Sequence, residues 1–252
     1  MTDMFDGPPP PPLKPFVLDD PGRVLCIAAH PDDLEYGAAA AVAKWTASGH
    51  HVAYVLATSG EAGIDGIDPV ACAALREAEE RAGAKVVGVE SVEFLGYPDG
   101  VVEYSVGLRR DLARAIRRHK PDTVVTGNHR DTFGPGMLNQ ADHRAVGQAC
   151  LEAIADAGNR WIFPELIAEE GLEPHKAKRV LVLASPASTH AMDVTGWMDL
   201  AVASLREHKA YNEGLGDHMM SDPEMIRMFS EMTALRLPGP KEALGFELYE
   251  FG

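Results

Sequence analysis

The sequence predicts a Rossmann-like α/β fold, with an open, mostly parallel sheet and helices on both faces. Short runs rich in β-branched residues alternate with longer segments of helical spacing, which implies parallel strands joined by right-handed crossovers. In addition, polar residues follow two of the runs directly. The predicted strands are RVLCIAA (23–29), HVAYVLAT (51–58), SVEFLGY (91–97), DTVVTGN (122–128) and RVLVLAS (179–185). The predicted helices are Leu34–Ser48, Val70–Ala84, Ser105–Lys120 and Asp142–Ala157.

Composition limits the domain organisation and the class of partner. With 252 residues and 46% hydrophobic residues, the chain can bury one sizeable core. We expect a flexible, proline-rich tail over residues 1–20 and a single domain over 21–252. The formal net charge of -15 argues against binding to nucleic acid or to an anionic membrane surface. No secretory signal or membrane span is evident, so a cytoplasmic location is expected. A homo-oligomer is left open.

The first polar cluster follows the first predicted strand and contains His30, Asp32 and Asp33. In open α/β sheets, ligands bind beyond the carboxyl ends of the strands, which is where these residues fall. No GxGxxG follows this strand, so dinucleotide binding has little support. One interpretation is that an Asp caps the helix beginning at Leu34. The other is a catalytic zinc site in which His30 and Asp33 are ligands and Asp32 is a general base.

A third ligand must then come from elsewhere in the chain. The segment LNQADHRAVGQA (138–149) follows the strand DTVVTGN, and its Asp142 and His143 again precede an Ala-rich helix at the same edge of the sheet. A His in the first turn of a helix is often only a surface residue. Because two such clusters lie at corresponding strand ends, the metal interpretation is favoured, with His143 as the third ligand.

With both clusters, the chain resembles the PIG-L/LmbE-like family of zinc-dependent N-acetylglucosamine deacetylases and related amidases. The family's AHPDD is intact at 29–33, and its HPDH corresponds to QADH at 140–143. Further similarity lies in TSGEAG (58–63), LREAEERAGAKVVGV (75–89), FLGYPDG (94–100) and MDVTGWMDLAVASLREHKAYNEG (192–214). The resemblance implies that His30, Asp33 and His143 bind one Zn²⁺, with Fe²⁺ as an alternative. Asp32 is then the general base, and Asp142 is a further catalytic residue.

The chain departs from the family at Gln140, where relatives have the first His of HPDH. A glutamine amide can donate a hydrogen bond but cannot deliver a proton at neutral pH. Gln140 is therefore expected to stabilise the oxyanion as a neutral donor. Alternatively, Asp32 shuttles the proton alone, or His129 or His208 replaces the missing His.

The resemblance also implies that Glu61, Arg76, Asp99 and His208 bind substrate. His129 is a further candidate because it lies in a loop beyond a strand end. All but Glu61 have a simpler interpretation, which for His129 and His208 is a solvated surface histidine. Arg76 lies in a run of charges that could be a solvated helix face. Asp99 precedes a glycine and could mark only a turn. The irregular segment 161–176 could form a wall of the pocket, with His175 as a contact.

The predicted function is zinc-dependent hydrolysis of a linear amide bond. The leading hypothesis is deacetylation of a small N-acetylated amino sugar or its conjugate. One alternative is a metal-dependent amidase that acts on a thiol conjugate or a natural-product amide. Another is a catalytically weakened binding protein, which Gln140 would allow. Asp32 argues against the last, because binding alone needs no base beside the metal ligands.

Overall fold

The computed structural model describes residues 11–19 and 21–251. The strands are β1 (Lys14–Pro15), β2 (Arg23–Ala28), β3 (His51–Leu56), β4 (Ser91–Phe94), β5 (Thr123–Thr126), β6 (Thr132–Gly134), β7 (Met137–Leu138), β8 (Arg179–Leu183), β9 (His190–Asp193) and β10 (Ala243–Glu250). The α-helices are α1 (Asp33–Gly37), α2 (Ala39–Ala47), α3 (Pro69–Val86), α4 (Val106–His119), α5 (Ala141–Ala157), α6 (Glu165–Ala168), α7 (Met198–Leu205), α8 (Lys209–Gly214) and α9 (Met225–Ala234).

The main sheet has the order β1-β9-β10-β8-β5-β2-β3-β4. The neighbours from β8 to β4 are all parallel, which confirms the predicted α/β architecture. Strand β2 shows why these runs are continuously apolar. Val24 and Cys26 pack in one layer with α2 and α7, whereas Leu25 and Ile27 pack in the other with α4 and α5. A strand that is covered on both faces needs apolar side chains at every position.

The other half of the sheet was not predicted. Strand β10 is antiparallel to both β8 and β9 and joins them. Short β1 pairs with β9, and Leu13 beside it is 4% exposed. Within the predicted tail, residues 11–19 therefore include a strand of the main sheet, so the prediction of a flexible tail is wrong for this part of it. Residues 1–10 lie outside the described residues.

The first predicted helix is divided into α1 and α2 by Ala38, whose φ of -131° is not helical. Gly37 at this break lies against β8, where an added Cβ would be 3.2 Å from a methyl group of Leu183. The break lets α1 lie close over the end of the sheet. No helix among the described residues is long and apolar enough to cross a bilayer.

All the parallel strands end on one side of the sheet and begin on the opposite side. We call the edge where they end the carboxyl edge and the edge where they begin the amino edge. The segment 161–176 lies at the amino edge, since His175 Nε2 is 2.7 Å from the carbonyl oxygen of Pro121, just before β5. The suggestion that this segment forms a wall of the pocket is therefore wrong: the polar clusters lie at the opposite edge.

Candidate active site

A tight turn after β2 carries the first polar cluster. The Oδ2 atom of Asp33 accepts the backbone N–H groups of Ala29 at 3.1 Å and His30 at 2.9 Å. Asp32 precedes α1, but its side chain makes no capping hydrogen bond. The helix-cap interpretation is therefore wrong. Asp33 folds back on its own turn instead, which leaves its Oδ1 atom free for another partner.

The imidazole of His30 is held between two groups of side chains. Its Nε2 atom is 3.1 Å from Asp99 Oδ1 and 3.3 Å from Asp142 Oδ2. Its Nδ1 atom is 3.2 Å from His143 Nε2 and 3.6 Å from Asp33 Oδ2. Because carboxylates only accept hydrogen bonds, the neutral ring carries its proton on Nε2 and presents a lone pair at Nδ1.

Backbone groups fix the Asp142 carboxylate. Its two oxygens accept the N–H groups of Gly100 at 2.7 Å and Val102 at 3.0 Å. The Asp99 carboxylate is likewise anchored, since its Oδ2 atom accepts the N–H of Ala62 at 2.9 Å. Both carboxylates therefore orient the His30 ring.

Asn139 orients the second imidazole. Its amide nitrogen donates to the carbonyl oxygens of Asn128 at 2.6 Å and Arg130 at 2.9 Å, so its Oδ1 atom must face His143. His143 Nδ1 lies 3.0 Å from that oxygen and donates to it. The lone pair of the neutral ring is then at Nε2, which is 3.0 Å from Asp33 Oδ1. Sequence reasoning missed Asn139, although it lies four residues before His143.

Two imidazole lone pairs and a carboxylate thus converge on one point, as the sequence predicts for His30, Asp33 and His143. Two acceptors facing each other at 3.2 Å need a cation between them. Burial opposes the imidazolium, but hydrogen bonds to Asp142, Asp33 and Asp99 outweigh it and raise the pKa of His30 to about 12. The site therefore favours positive charge, whether a proton or a metal ion. His30, Asp99 and Asp142 form a second group of candidate ligands.

Asp32 lies beside this group and is 6% exposed. One carboxylate oxygen, Oδ1, is 3.0 Å from Arg76 Nη2, which also bonds to the carbonyl oxygen of Pro31. Burial raises the pKa of Asp32 to about 6, and the Arg76 guanidinium limits the rise. A carboxylate with a pKa near neutrality can accept a proton from water and release it again.

Two of the predicted substrate-binding residues are buried. Arg76 is 2% exposed and contacts the Asp32 turn, and its guanidinium lies 3.8 Å from the ring centroid of Tyr211. His208 is 0% exposed and lies between Glu35 and Glu80. Both side chains are thus buried, and direct contact of either with substrate stays a prediction. The alternative that these two residues lie on a solvated surface is wrong.

The other predicted residues occupy loops around the carboxyl edge. Glu61 accepts the backbone N–H of Asp99 at 2.9 Å and so supports the loop that reaches His30. Gln140 is exposed at the N-terminus of α5, and its side chain makes no hydrogen bond within the described ranges. His129 lines a surface cavity of about 500 Å³ with Ala141 and Arg144. This cavity adjoins the beginning of α5 and is open to solvent.

Comparisons with known proteins agree with this geometry. A family model described as PIG-L, GlcNAc-PI de-N-acetylase, matches residues 25–154. The chain is 31% identical over 200 residues to a diacetylchitobiose deacetylase of Thermococcus kodakarensis, covering 78% of this chain and 72% of that protein. It is 28% identical over 255 residues to a 1D-myo-inositol 2-acetamido-2-deoxy-alpha-D-glucopyranoside deacetylase of Kineococcus radiotolerans, covering 76% and 69%. The N,N'-diacetylchitobiose deacetylase structure from Pyrococcus horikoshii aligns with a TM-score of 0.81 at 26% identity, covering 93% and 88%.

Proposed function

The chain belongs to the PIG-L family of de-N-acetylases, and on that premise we propose that it hydrolyses the amide bond of a small N-acetylated amino sugar or its conjugate. The observation that carries the proposal is the convergence of His30 Nδ1, His143 Nε2 and the Asp33 carboxylate, with Asp32 in the same turn. This arrangement has the metal ligands and the base that amide hydrolysis requires.

Zn²⁺ is the proposed metal, with Fe²⁺ as the alternative, and His30, Asp33 and His143 are its proposed ligands. Two imidazole nitrogens and one carboxylate are a suitable set of three protein ligands for a catalytic zinc site. The lone pairs of both imidazoles support this set, since Asn139 holds His143 and two carboxylates hold His30. In the competing set with Asp99 and Asp142, the anchored carboxylates are better suited as acceptors for the His30 N–H.

When bound, zinc would polarise the amide carbonyl and lower the pKa of a water molecule to about 7. Asp32 then accepts a proton from the attacking water as the new carbon–oxygen bond forms. Arg76 holds Oδ1 of this carboxylate, so Oδ2 is the atom that receives the proton. As the carbon–nitrogen bond breaks, the same proton passes to the leaving nitrogen, giving a free amine and acetic acid, which loses its own proton to solvent as acetate.

Gln140 is proposed as a neutral hydrogen-bond donor to the oxyanion. It lies at the N-terminus of α5, two residues from Asp142 and three from His143. Asp142 has a different role from the proton transfer: it accepts backbone N–H groups and orients His30. His129 and the adjoining cavity are proposed to receive the part of the substrate beyond the acetamido group.

Substrate profiling of zinc-loaded protein tests the proposal. We expect amine release from N-acetylglucosamine or diacetylchitobiose to exceed release from simple aliphatic acetamides, because sugar hydroxyl groups add contacts in the cleft. Asp32→Asn is the matched control, since it should keep zinc yet lose most of the rate. Preferential cleavage of a thiol conjugate or natural-product amide would favour the alternative amidase. Zinc-loaded protein that releases no amine from any member of the panel would contradict the proposal.

A further inference from the structure

A second histidine–carboxylate cluster lies beneath the Asp32 turn and shares no residue with the proposed metal ligands. It contains Glu35, Glu80 and His208, whose exposed fractions are 1%, 0% and 0%. His208 Nε2 is 3.5 Å from Glu35 Oε2 and 3.7 Å from Glu80 Oε2. We call these three residues the buried brace. These distances are too long for strong hydrogen bonds, and both His208 nitrogens have no hydrogen-bond partner within the described ranges, so packing must hold the cluster together.

The buried brace contacts the proposed base through the backbone. Glu80 Oε2 accepts the N–H of Asp32 at 3.0 Å. Asp32 has a φ of 101° and a ψ of -28°, a left-handed conformation that glycine adopts readily and aspartate does not. Such a conformation persists only where the surrounding contacts determine it. The hydrogen bond from Asp32 to Glu80 is one such contact, and Arg76 on the Pro31 carbonyl is another.

Glu80 is itself fixed by close packing around α3. Ser204 Oγ donates to the carbonyl oxygen of Gly83 at 2.8 Å, which draws α7 against α3. A Cβ at Gly83 would lie 3.2 Å from His208 Nε2 and 3.3 Å from Glu35 Oε1, so there is little room for these side chains to move. Burial and the Glu35 carboxylate raise the pKa of Glu80 well above its usual range. A neutral Glu80 still accepts the Asp32 N–H through its carbonyl oxygen.

We propose that Glu80 is a positioning residue for Asp32: its hydrogen bond to the Asp32 backbone holds the left-handed turn that aims the carboxylate at the reacting water, and Glu35 and His208 hold Glu80. The part of this inference that concerns rate rests on the proposed function. The part that concerns the Asp32 conformation does not. Asp32 thus has two supports, one on its backbone from Glu80 and one on its side chain from Arg76.

Two substitutions at Glu80 test the hydrogen bond. Glu80→Gln keeps an acceptor for the Asp32 N–H, so its kcat should stay within about threefold of the wild type. Glu80→Met keeps the length of the side chain but removes the acceptor. We expect its kcat to fall about 10–100-fold, the scale of a misplaced catalytic group, with zinc content and KM nearly unchanged. Glu80→Asp withdraws the acceptor by one methylene and serves if Glu80→Met does not fold.

Glu79 supplies the matched control. It lies next to Glu80 on α3, is 8% exposed and accepts a backbone N–H at 2.6 Å, but that N–H belongs to Ala210. Glu79→Met should therefore lower the melting temperature without the kcat loss seen at Glu80. An equal kcat loss in both variants would mean that the effect is only structural and would overturn the proposal.

Crystal structures of the zinc-loaded variants separate this inference from the proposed function. In Glu80→Met or Glu80→Asp, we expect Asp32 to leave the left-handed region, whereas Glu80→Gln should retain it. An unchanged Asp32 conformation in Glu80→Met would overturn the inference whatever substrate the protein cleaves. Wild-type kcat in Glu80→Met at full zinc content, or a kcat loss that merely follows lost zinc, would overturn it as well. Absence of amine release by the wild type would instead contradict only the proposed function.

Discussion

The carboxyl and amino edges of the same sheet use charged residues in opposite ways. At the carboxyl edge, imidazole and carboxylate groups converge on one point, and Asp32 is held in an unfavourable backbone conformation. At the amino edge, opposite charges form small surface pairs, as in Lys178 with Asp122 at 2.8 Å. Glu93 likewise lies 2.6 Å from Arg118 and 3.7 Å from His119. We infer that the first arrangement supports chemistry at a cost in stability, whereas the second only stabilises the fold.

His143→Ala should have the largest effect of the substitutions at the carboxyl edge. It leaves two protein ligands, so zinc affinity should fall by more than about 100-fold and amine release should fall to background. The metal-free protein should keep its fold, which circular dichroism can check. His51→Ala is the control, because that imidazole is exposed at the beginning of β3. Full zinc occupancy in His143→Ala, measured by elemental analysis, would contradict the ligand assignment.

Arg117→Met, at the amino edge, should lower the stability of the protein and leave its activity unchanged. The Arg117 side chain is fully buried and donates to backbone carbonyl oxygens at the end of α5 and in the loop after it, those of Ala157, Asp156, Asn159, Ile162 and Phe163. Leaving such acceptors unsatisfied should lower the free energy of unfolding by about 3 kcal/mol. Urea unfolding measures this loss, and kcat of the folded variant should be unchanged. Arg118→Met, on the exposed side of α4, should cost less than about 1 kcal/mol. Equal losses in the two variants would argue against the importance of the buried guanidinium.

Gln140→Ala separates two roles at the carboxyl edge. If Gln140 is a neutral donor to the oxyanion, kcat should fall about 100-fold with zinc content unchanged. Gln140→His tests whether an imidazole there can deliver a proton and raise the rate. Since Gln140 does not titrate, the basic limb of the pH–rate profile should be the same in the wild type and in Gln140→Ala. Wild-type rates in Gln140→Ala would show that this donor is not needed.

Glu93→Gln should have the smallest effect and should appear only in acid. The nearby His119 imidazole, 3.7 Å away, and the hydrogen bond from Arg118 at 2.6 Å lower the pKa of Glu93 to about 2. The carboxylate therefore contributes stability above its unfolded pKa of about 4.3, and this contribution is lost as the pH falls towards 2. Unfolding curves at several pH values should show a shallower acid dependence in Glu93→Gln. Because the group is half exposed, solvent screening keeps the difference small. Glu103→Gln, at an exposed position, is the control.

The convergence of the proposed metal ligands could be predicted from sequence because they lie in short loops directly after strongly patterned strands. The apolar runs of β2 and β5 fix where each strand ends, and parallel pairing brings both ends to one edge. Strands β9 and β10 escaped prediction because their pairing is antiparallel and lies between distant parts of the chain. The four residues of β9, HAMD, also lack a β-branched pattern.

The supports of the site were harder to predict because they depend on helix packing. The run REAEER (76–81) looks like a solvated charged face, yet Arg76 and Glu80 are buried. A signal was present in the spacing. Both charged residues fall on the same helical stripe as Cys72 and Ala84, which are buried. In α3, charged residues on the apolar stripe therefore mark internal polar contacts that a count of charges along the sequence hides.

The place of β10 in the sheet also affects how the protein can be assembled during translation. Strands β2, β3, β4, β5 and β8 can pair as soon as residue 183 has left the ribosome, since they contact one another directly. Strand β9 cannot join them, because residues 243–250 must first be inserted as its neighbour. Until then, the backbone groups on the side of β8 that faces away from β5 remain unpaired, and nascent chains can associate wrongly at such a strand.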